Sequence, residues 1–300
     1  MKRLKILTWN LGYGAMGAEA DVSFEGGKNI IPSSKKAIVK NISGIQKVLE
    51  KSKADVFLLQ ELSSGSLLNR WHNIRHAVQH VLPRHSRNMV SNFSLPLFFD
   101  FLRNEHGLGT FVKEKLNIHR KHSSPLAGGE LYYKVIRRFD YALTTFVETG
   151  DGKVVAFINT HLSSFDIRGT VRIEQFKQLI AYVKKLTKNG YSVVIGADWN
   201  MHAGKVNFSK DSDKKQYEKY THDFPYHLLG DGWTSHFAPN TPTLRAANRP
   251  YKKGESTTAT VDGFICSPDI QVDSITTLDL DFEHSDHNPV EIVVSQKETN

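Results

Sequence analysis

Residues 191–200 read YSVVIGADWN and are the stretch that decides the fold class. The β-branched run VVI is typical of a buried strand. Asp198 and Asn200 follow it two residues apart, so their side chains point to the same side if the chain stays extended. This pair predicts either a cation or phosphate site or an ordinary turn, and the segment alone favours neither. Trp199, between them, is predicted to point into the core.

The composition indicates a folded protein with a large core. The chain has 300 residues, of which 39% are hydrophobic, so we expect one domain over residues 1–300. The only cysteine, Cys266, excludes an intrachain disulfide and lies in an apolar run, which predicts a core residue in a reducing compartment. We find neither a secretory apolar region nor the ~18 apolar residues of a membrane span, so the expected location is the cytoplasm, without stable membrane insertion.

The charge balance leaves the class of partner open. The formal net charge is +8, which suits a polyanion such as nucleic acid or an anionic membrane surface. A soluble basic protein without such a partner accounts for the excess equally well.

Hydrophobic periodicity predicts many strands and a few helices. Helical spacing occurs over residues 38–49, 67–81 and 170–188. Strand patterns occur over residues 4–9, 55–61, 107–112, 132–136, 141–147, 154–159, 191–195, 260–265, 272–278 and 290–294. Residues 205–258 are polar and are predicted to be mostly loop. Because strands outnumber helices and helices separate some of them, we predict a mixed α/β sandwich.

Polar residues stand at the ends of five predicted strands. They are Asn10, Glu61, His161, Asp198 with Asn200, and Asp286 with His287, while Asp262 lies inside a further strand. Each could be structural, since a lone histidine on an apolar strand is usually a satisfied core residue and an acid can be solvated or bonded to backbone. Their common position predicts one site, because strand ends converge in layered α/β folds.

The residue types indicate the chemistry of a hard cation on phosphate. Carboxylates and an amide without cysteine select Mg²⁺ or Mn²⁺. A histidine beside an acid can carry a proton near neutral pH. Because the set contains neither a serine nor a cysteine nucleophile, it favours direct attack of water on phosphorus.

Six segments resemble the signature blocks of the endonuclease/exonuclease/phosphatase superfamily, the fold of pancreatic-type deoxyribonuclease. They are LTWNLG, LLQEL, INTHLS, VIGADWN, TVDGFICS and HSDHNPV, in the order of the family and over nearly the whole chain. The resemblance implies an α/β (α+β) four-layer sandwich, in which helices flank two packed, mixed, mostly antiparallel sheets. It also implies a metal site in which Glu61 resembles the principal ligand, with Asn10 and Asp286 beside it, and Mg²⁺ or Mn²⁺ as the cofactor.

The resemblance implies catalytic roles as well. Asp198 and Asn200 resemble the pair that orients or deprotonates the attacking water and binds phosphate. His161 resembles the histidine that contacts the phosphate, and His287 the histidine paired with an acid, which Asp262 matches. Whether Asp198 or His287 takes the proton from water stays open, as does the number of metal ions.

The expected substrate is a phosphodiester, with nucleic acid as the first candidate. Gly12 and His161 differ from the pattern of abasic-site endonucleases, and residues 259–263 lack the block of inositol polyphosphate 5-phosphatases. The alternative is a phosphomonoesterase or a sphingomyelinase-like lipid phosphodiesterase. A catalytically inactive binding module on the same fold is a third hypothesis.

Residues 84–122 form the least regular part of the sequence. They mix apolar and basic residues and resemble uncharacterised bacterial members of the superfamily with an Asn-Phe-x-x-Pro insert, here residues 92–96. The insert could approach a lipid surface or stack on bases, or it could cover the end of a sheet. We favour the structural role, because exposed patches of this kind are rare in soluble monomers.

Overall fold

A computed structural model of the chain describes residues 3–92, 105–128, 131–132, 136–137, 139–149, 152–164 and 166–297. Its strands are β1 (Leu4–Asn10), β2 (Val56–Gly65), β3 (His85–Ser91), β4 (Glu105–Lys113), β5 (Asn117–Pro125), β6 (Leu131–Tyr132), β7 (Ile136–Arg137), β8 (Tyr141–Glu148), β9 (Val154–His161), β10 (Ser192–Asp198), β11 (Thr234–His236), β12 (Leu244–Arg245), β13 (Thr258–Ala259), β14 (Asp262–Cys266), β15 (Ile270–Thr277) and β16 (Val290–Gln296). Its α-helices are α1 (Lys35–Lys51), α2 (Ile74–Val81), α3 (Thr170–Lys188) and α4 (Asp211–Tyr217). Residues 93–96 of the predicted insert, and residues 93–104 of the irregular region 84–122, lie outside the described residues.

The long strands form two six-stranded sheets with the same internal plan. The first sheet has the order β15-β16-β1-β2-β4-β3, and the second has the order β11-β14-β10-β9-β8-β5. In each sheet the central pair is parallel, β1 with β2 and β9 with β10, and the outer pairings are antiparallel. The prediction of mixed, mostly antiparallel sheets is therefore confirmed. Because the strands of a parallel pair run in one direction, their carboxyl ends lie at the same edge of the sheet.

The two sheets pack face to face, and helices cover their outer faces. Leu58 of the first sheet and Val194 of the second belong to one buried cluster between the sheets. A second cluster joins the first sheet to Ile45 of α1 and Val78 of α2, and a third joins the second sheet to Phe176 of α3. Burial of each such side chain stabilises the fold by about 1.5–3 kcal/mol. The order helix, sheet, sheet, helix is the four-layer sandwich that was predicted.

Two predictions about the interior are also confirmed. Cys266 is a free, fully buried cysteine in the cluster between the sheets. Trp199 is fully buried in the cluster beneath α3. None of the helices in the described part of the chain combines the length and the apolar character that crossing a membrane requires.

Two strands that the sequence pattern missed, β3 and β5, form one edge of each sheet. Residues of β5 are mostly exposed, and those of β3 alternate poorly between buried and exposed positions. Edge strands with polar faces carry little hydrophobic periodicity, which explains why the pattern did not reveal them. Residues 133–135 of the predicted strand over residues 132–136 lie outside the described residues, and its ends belong to two short strands, β6 and β7, that pair with each other.

Helix α2 begins at Ile74, seven residues later than predicted. The preceding residues form a turn in which Arg70 and Trp71 have φ angles of 50° and 66°. Left-handed residues cannot continue into a right-handed helix, so the helix starts after them. Asn73 caps the start by accepting a hydrogen bond from the His76 N–H at 2.8 Å.

The segment predicted to be mostly loop, residues 205–258, is held by a buried acid on α4. The carboxylate of Asp213 accepts hydrogen bonds from Arg249, from Thr257 at 2.7 Å and from Ser209 at 3.0 Å. Burial opposes ionisation of Asp213, but these partners outweigh it and lower its pKa to about 2. The short helix thus exists because tertiary bonds secure it, which the local sequence does not reveal.

We expect Asp213→Asn to lower the free energy of unfolding at neutral pH by about 1–2 kcal/mol. A depressed pKa stabilises the native state above the unfolded-state value of 3.8, and the effect is lost as the pH falls towards about 2. Urea unfolding of variant and wild type should therefore differ at neutral pH and converge at the acid end. Asp231→Asn, at an exposed acid in the same segment, is the control and should match wild type at every pH. Equal stability of Asp213→Asn and wild type at neutral pH would contradict the assignment.

Candidate active site

Three predicted site residues lie side by side on neighbouring strands of the second sheet. Asp198, the last residue of β10, pairs in register with His161 of β9 on one side and with Asp262 of β14 on the other. Paired residues on adjacent strands present their side chains on the same face of a sheet. The strand register therefore brings an imidazole and two carboxylates together, although 101 positions separate His161 from Asp262 in the sequence.

The first sheet contributes Asn10 to the same place. Its Nδ2 donates a hydrogen bond to Asp198 Oδ2 at 2.9 Å, which links the carboxyl ends of β1 and β10 across the sandwich. Beneath this link, Gln60 Nε2 donates to Asn159 Oδ1 at 2.7 Å, and both side chains are fully buried. Asn159 Nδ2 in turn donates to the carbonyl oxygen of Leu59 at 3.0 Å. These buried amides hold the two sheets at a set distance directly below the site.

Glu61 reaches the site because β2 contains a β-bulge. The pairing of β2 with β4 shifts between Leu59 and Leu62, so two residues of β2 lie opposite one residue of β4. Glu61 has a φ of 54°, in the left-handed region that non-glycine residues rarely adopt. Its Oε1 lies 3.9 Å from His161 Nδ1. Bulges redirect a side chain, and this one places a carboxylate beside the histidine.

Asp198 is the centre of the arrangement. Its Oδ2 lies 3.3 Å from His161 Nε2 and 3.7 Å from His287 Nε2. Its Oδ1 accepts the Asn200 backbone N–H at 3.0 Å. The carboxylate is 1% exposed, so its partners interact with it in a medium of low polarity.

His287 is paired with an acid, as the resemblance implied. Its Nδ1 lies 2.8 Å from Asp262 Oδ2, and its carbonyl oxygen accepts the Trp9 indole N–H at 2.8 Å. Thr243 supports the acid, because its hydroxyl accepts the Asp262 backbone N–H at 3.0 Å. The ring of His287 is thereby held with Nε2 towards Asp198.

The pKa shifts separate the roles of these groups. Burial alone would lower the pKa of His287, but the carboxylates of Asp262 and Asp198 outweigh it and raise that pKa well above 6.5. Burial raises the pKa of Asp262 to about 6, against the opposing effect of His287. Burial also opposes ionisation of Asp198, but His161, His287 and the hydrogen bond from Asn10 lower its pKa. At neutral pH these shifts favour a charged imidazole between two carboxylates.

Asn200 lies beside Asp198 for a reason other than the one predicted. The extended segment ends at Asp198, and Asn200 has a φ of 50°, so the two-residue rule of a strand does not apply to the pair. Asn200 Nδ2 donates to the Leu162 carbonyl oxygen at 2.9 Å, which fixes the turn after β10 to the end of β9. The turn after β10 therefore brings Asn200 close to Asp198.

The hydroxyl of Ser285 connects Asp286 to Asn10. The Ser285 hydroxyl donates to the Asn10 carbonyl oxygen at 2.8 Å and lies 3.3 Å from Asp286 Oδ1. Gly12 completes this corner with a φ of 49°, and a Cβ there would lie 2.7 Å from Asp286 Oδ1. Burial raises the pKa of Asp286, with His287 and Arg245 opposing the shift. All eight predicted residues are thus brought into one connected cluster.

Asn10, Glu61 and Asp286 are the predicted ligands of a hard divalent cation, and the Asn10 Oδ1 atom also accepts the Gly12 backbone N–H at 3.0 Å. Asn10, Glu61 and Asp286 supply carboxylate and amide oxygens without cysteine, which is the donor set that Mg²⁺ and Mn²⁺ prefer. Asp286 is 7% exposed, and burial disfavours its negative charge. A cation beside it would offset that cost, since opposite charge at short range favours the ionised carboxylate.

A second group of side chains lies close enough together to hold a metal ion. One ligand atom each from Asp198, Asp262 and His287 lies within 4.8 Å of the others. A protonated imidazole has no free lone pair for a metal. The raised pKa of His287 and the contact of its Nδ1 with Asp262 Oδ2 also suit this group to proton chemistry.

Arg245 is a supporting residue that the sequence did not reveal. Its fully buried guanidinium donates to the carbonyl oxygens of Met16 at 3.0 Å and Ala20 at 3.3 Å, and it also bonds Gly17. It thereby organises the loop after β1 that carries Gly12. A lone arginine in a polar segment gives no signal of this role, whereas Gln60 and Asn159 stand inside the LLQEL and INTHLS blocks and could have been identified there.

The fold and the site together define the class of protein. Two sandwiched mixed sheets carry acids, amides and histidines at one shared edge. A model of the Endonuclease/Exonuclease/phosphatase family matches residues 7–287, and the chain belongs to that family. The comparison with curated proteins found no match.

Solved structures share this fold at low sequence identity. An endonuclease/exonuclease/phosphatase family protein from Bacteroides thetaiotaomicron has a TM-score of 0.63 and 14% identity, with 99% of each chain covered. The human Nocturnin catalytic domain with bound sulfate has a TM-score of 0.60 and 16% identity, covering 98% of this chain and 95% of that one. A humanized D. rerio TDP2 has a TM-score of 0.62 and 13% identity, covering 99% of this chain and 100% of that one. Identities this low establish similarity of fold.

Proposed function

We propose that this protein is a divalent-metal-dependent phosphodiesterase of the nuclease type, which hydrolyses its substrate with activated water. The observation that carries the proposal is the position of the buried Asp198 carboxylate. It lies between the Nε2 atoms of His161 and His287, at 3.3 and 3.7 Å, with an amide hydrogen bond from the opposite sheet. In such an arrangement the ionised carboxylate can accept a proton, and the imidazoles beside it can donate hydrogen bonds to a phosphate oxyanion.

The cation would be held by Asn10, Glu61 and Asp286. A divalent ion there supplies charge stabilisation for the phosphoryl oxygens and a more acidic water. Mg²⁺ typically uses one or two carboxylates from the protein and leaves the rest of its shell to water and substrate phosphate, which agrees with this small set.

Different residues accept the proton from water and donate a proton to the leaving oxygen. Asp198 is ionised and accepts a proton from the water that attacks phosphorus. The raised pKa of His287 favours its protonated form, so Asp198 suits the role of base better. Its Nε2–H is instead available to protonate the leaving oxygen, and Asp262 holds the ring in place at 2.8 Å. His161 contacts a phosphoryl oxygen and offsets the charge that develops there.

We expect purified protein to hydrolyse bis(p-nitrophenyl) phosphate with Mg²⁺ or Mn²⁺ and to lose this activity in EDTA. Re-addition of the metal should restore the rate, because removal of the cation withdraws charge stabilisation without unfolding the chain. Plasmid DNA, RNA, sphingomyelin vesicles and a phosphomonoester panel, tested side by side, identify the substrate class. Preference for a monoester would overturn the nuclease proposal, and the absence of turnover with either cation would favour a binding module.

A further inference from the structure

Several large apolar side chains are exposed in segments that connect the strands around the candidate site. Eight large hydrophobic side chains are exposed within the described residues, and seven of them lie in segments that leave or enter the strand ends around the site. The seven are Phe24, Ile30, Leu67, Trp71, Phe139, Ile167 and Tyr226. Single exposed apolar residues need no explanation, but Trp71 is an aromatic residue that directly follows a cation, Arg70.

Hydrogen bonds within the turn of residues 66–71 fix the backbone of Trp71 while its side chain stays exposed. The Trp71 side chain is 48% exposed, while its backbone N–H donates to the Ser66 carbonyl oxygen at 2.8 Å. Arg70 and Trp71 both have left-handed backbone angles, of 50° and 66°. The fully buried amide of Asn69 secures this unfavourable conformation, because it accepts the Ser66 N–H at 2.8 Å and donates to the Tyr13 carbonyl oxygen at 3.1 Å. Strained residues of this kind persist where the surrounding structure fixes them, often at functional segments.

A basic cleft lies beside this turn. It has a volume of about 560 Å³, and its lining includes Arg70, Lys36 and Ser33. Arg70 Nε donates to the Ser33 carbonyl oxygen at 3.1 Å, which anchors the arginine in the wall of the cleft. Lys40 of the same cleft is paired with Glu19 at 2.8 Å. In the part of the chain that the structure describes, no such carboxylate pairs with Arg70 or Lys36, so both charges are available to an anion.

We propose that Arg70, Trp71 and Lys36 bind single-stranded nucleic acid next to the candidate active site, an inference that rests on the proposed nuclease function. The two cations bind a backbone phosphate, and the indole stacks on the neighbouring base. Cations on the backbone combined with aromatic rings on the bases are the general mode of single-strand binding without sequence preference. The turn that carries Arg70 and Trp71 is connected to the site in two ways. It follows β2, which carries Glu61, and Asn69 Nδ2 donates a hydrogen bond to the Tyr13 carbonyl oxygen in the loop after Asn10.

Charge complementarity favours nucleic acid over a lipid surface here. The exposed indole of Trp71 directly follows one cation, Arg70, and a second cation, Lys36, lines the same cleft as Arg70. Insertion into lipid scales with buried apolar area. It would therefore depend on Leu67, which is 46% exposed in the same turn, about as much as on Trp71.

Binding of a labelled oligodeoxythymidine, measured by fluorescence anisotropy in EDTA, tests the proposal. We expect Trp71→Ala to weaken binding by about 5- to 100-fold and Trp71→Phe to restore most of it, because phenylalanine can also stack. Quenching of tryptophan emission by the unlabelled strand should disappear in Trp71→Phe, since Trp9 and Trp199 are fully buried and Trp233 packs against the core beneath α3.

The two cations have a readout of their own. Lys36→Gln and Arg70→Gln should each weaken binding of the same oligonucleotide. Each should also reduce the slope of log K against log salt, by about 0.7 for each phosphate that the protein no longer neutralises. A change in affinity with an unchanged slope would mean that the cation does not act on the phosphate backbone.

Two neighbouring substitutions serve as matched controls. Leu67→Ala removes an exposed apolar residue from the same turn, and Lys35→Gln removes an exposed cation that does not line the cleft. Both should bind like wild type. Wild-type affinity in Trp71→Ala and Lys36→Gln would overturn the proposal. Binding to sphingomyelin or anionic phospholipid vesicles that depends equally on Leu67 and Trp71, without oligonucleotide binding, would overturn it in favour of a lipid surface.

The binding measurement also separates this inference from the proposed function. It requires no catalysis, so Trp71-dependent oligonucleotide binding by a protein that does not hydrolyse bis(p-nitrophenyl) phosphate would refute the function and leave the binding element standing. In an active enzyme, the loss of kcat/KM in Trp71→Ala should be larger on a single-stranded oligonucleotide than on bis(p-nitrophenyl) phosphate. Equal losses on both substrates would indicate a structural effect of the turn on the site.

Discussion

Replacement of Asp198 by asparagine should reduce phosphodiester hydrolysis by about 10³-fold while the fold survives. The carboxylate is the proposed proton acceptor and lies within 4 Å of both site histidines. Asparagine keeps the shape and one of the two acceptor oxygens that bond Asn10 and the Asn200 N–H, but it removes the negative charge. The loss should therefore appear in kcat, and the melting temperature should change little.

The same variant has a second readout that a purely structural role would not produce. The Asp198 carboxylate helps to raise the pKa of His287, so Asp198→Asn should lower that pKa. Histidine titration by NMR measures this directly. Asp223→Asn is a matched control, because Asp223 is 92% exposed and lies 3.2 Å from His202, outside the candidate site. A rate within 10-fold of wild type, or an unchanged His287 titration, would contradict the central role of Asp198.

Replacement of Glu61 by glutamine should raise the concentration of Mg²⁺ or Mn²⁺ needed for half-maximal activity by at least about 10-fold. Glutamine preserves the size of the side chain and the bulge of β2, but it lacks the charge that a hard cation requires. Activity at a fixed low concentration of metal should fall accordingly. Measurement of rate against metal concentration tests this, and an unchanged metal requirement would exclude Glu61 as a ligand.

Glu61→Gly separates the backbone of this residue from its carboxylate. Glycine adopts a φ of 54° readily, whereas a left-handed residue with a side chain costs about 1–2 kcal/mol. The variant should therefore be inactive yet have a free energy of unfolding equal to or slightly above that of wild type. A marked loss of stability in urea unfolding would mean that the side chain supports the fold and that its backbone is not strained.

Much of the fold could be predicted from local pattern because its central strands are strongly apolar. Residues 191–200 indicated β10, and the helix over residues 170–188 is found almost as predicted. Prediction failed at β3 and β5, whose polar edge positions give no periodicity, and at α4, which the Asp213 network holds. The pattern was reliable where burial is continuous and unreliable where tertiary bonds or exposure dominate.

The candidate site residues could likewise be selected from local pattern, but their contacts could not. All eight stand beside strong strand signals, so residue type and position were enough to select them. Their contacts depend on register and backbone geometry: Asp198 lies between His161 and Asp262 because three strands pair at those positions, and Glu61 is directed inwards by a bulge. Neither register nor a bulge can be read from a single sequence, because each is decided by the neighbouring strand.

The opening stretch shows what each level of structure determined. Residues 191–200 could be recognised as a buried strand followed by an acid and an amide, because β-branched burial and residue chemistry are local properties. What these side chains face depends on packing: Asp198 contacts Asn10, His161 and His287, whereas the Asn200 amide bonds the Leu162 carbonyl oxygen. The physical reason is that a site of this kind is made by the meeting of two sheets, and no local pattern encodes the distance between them.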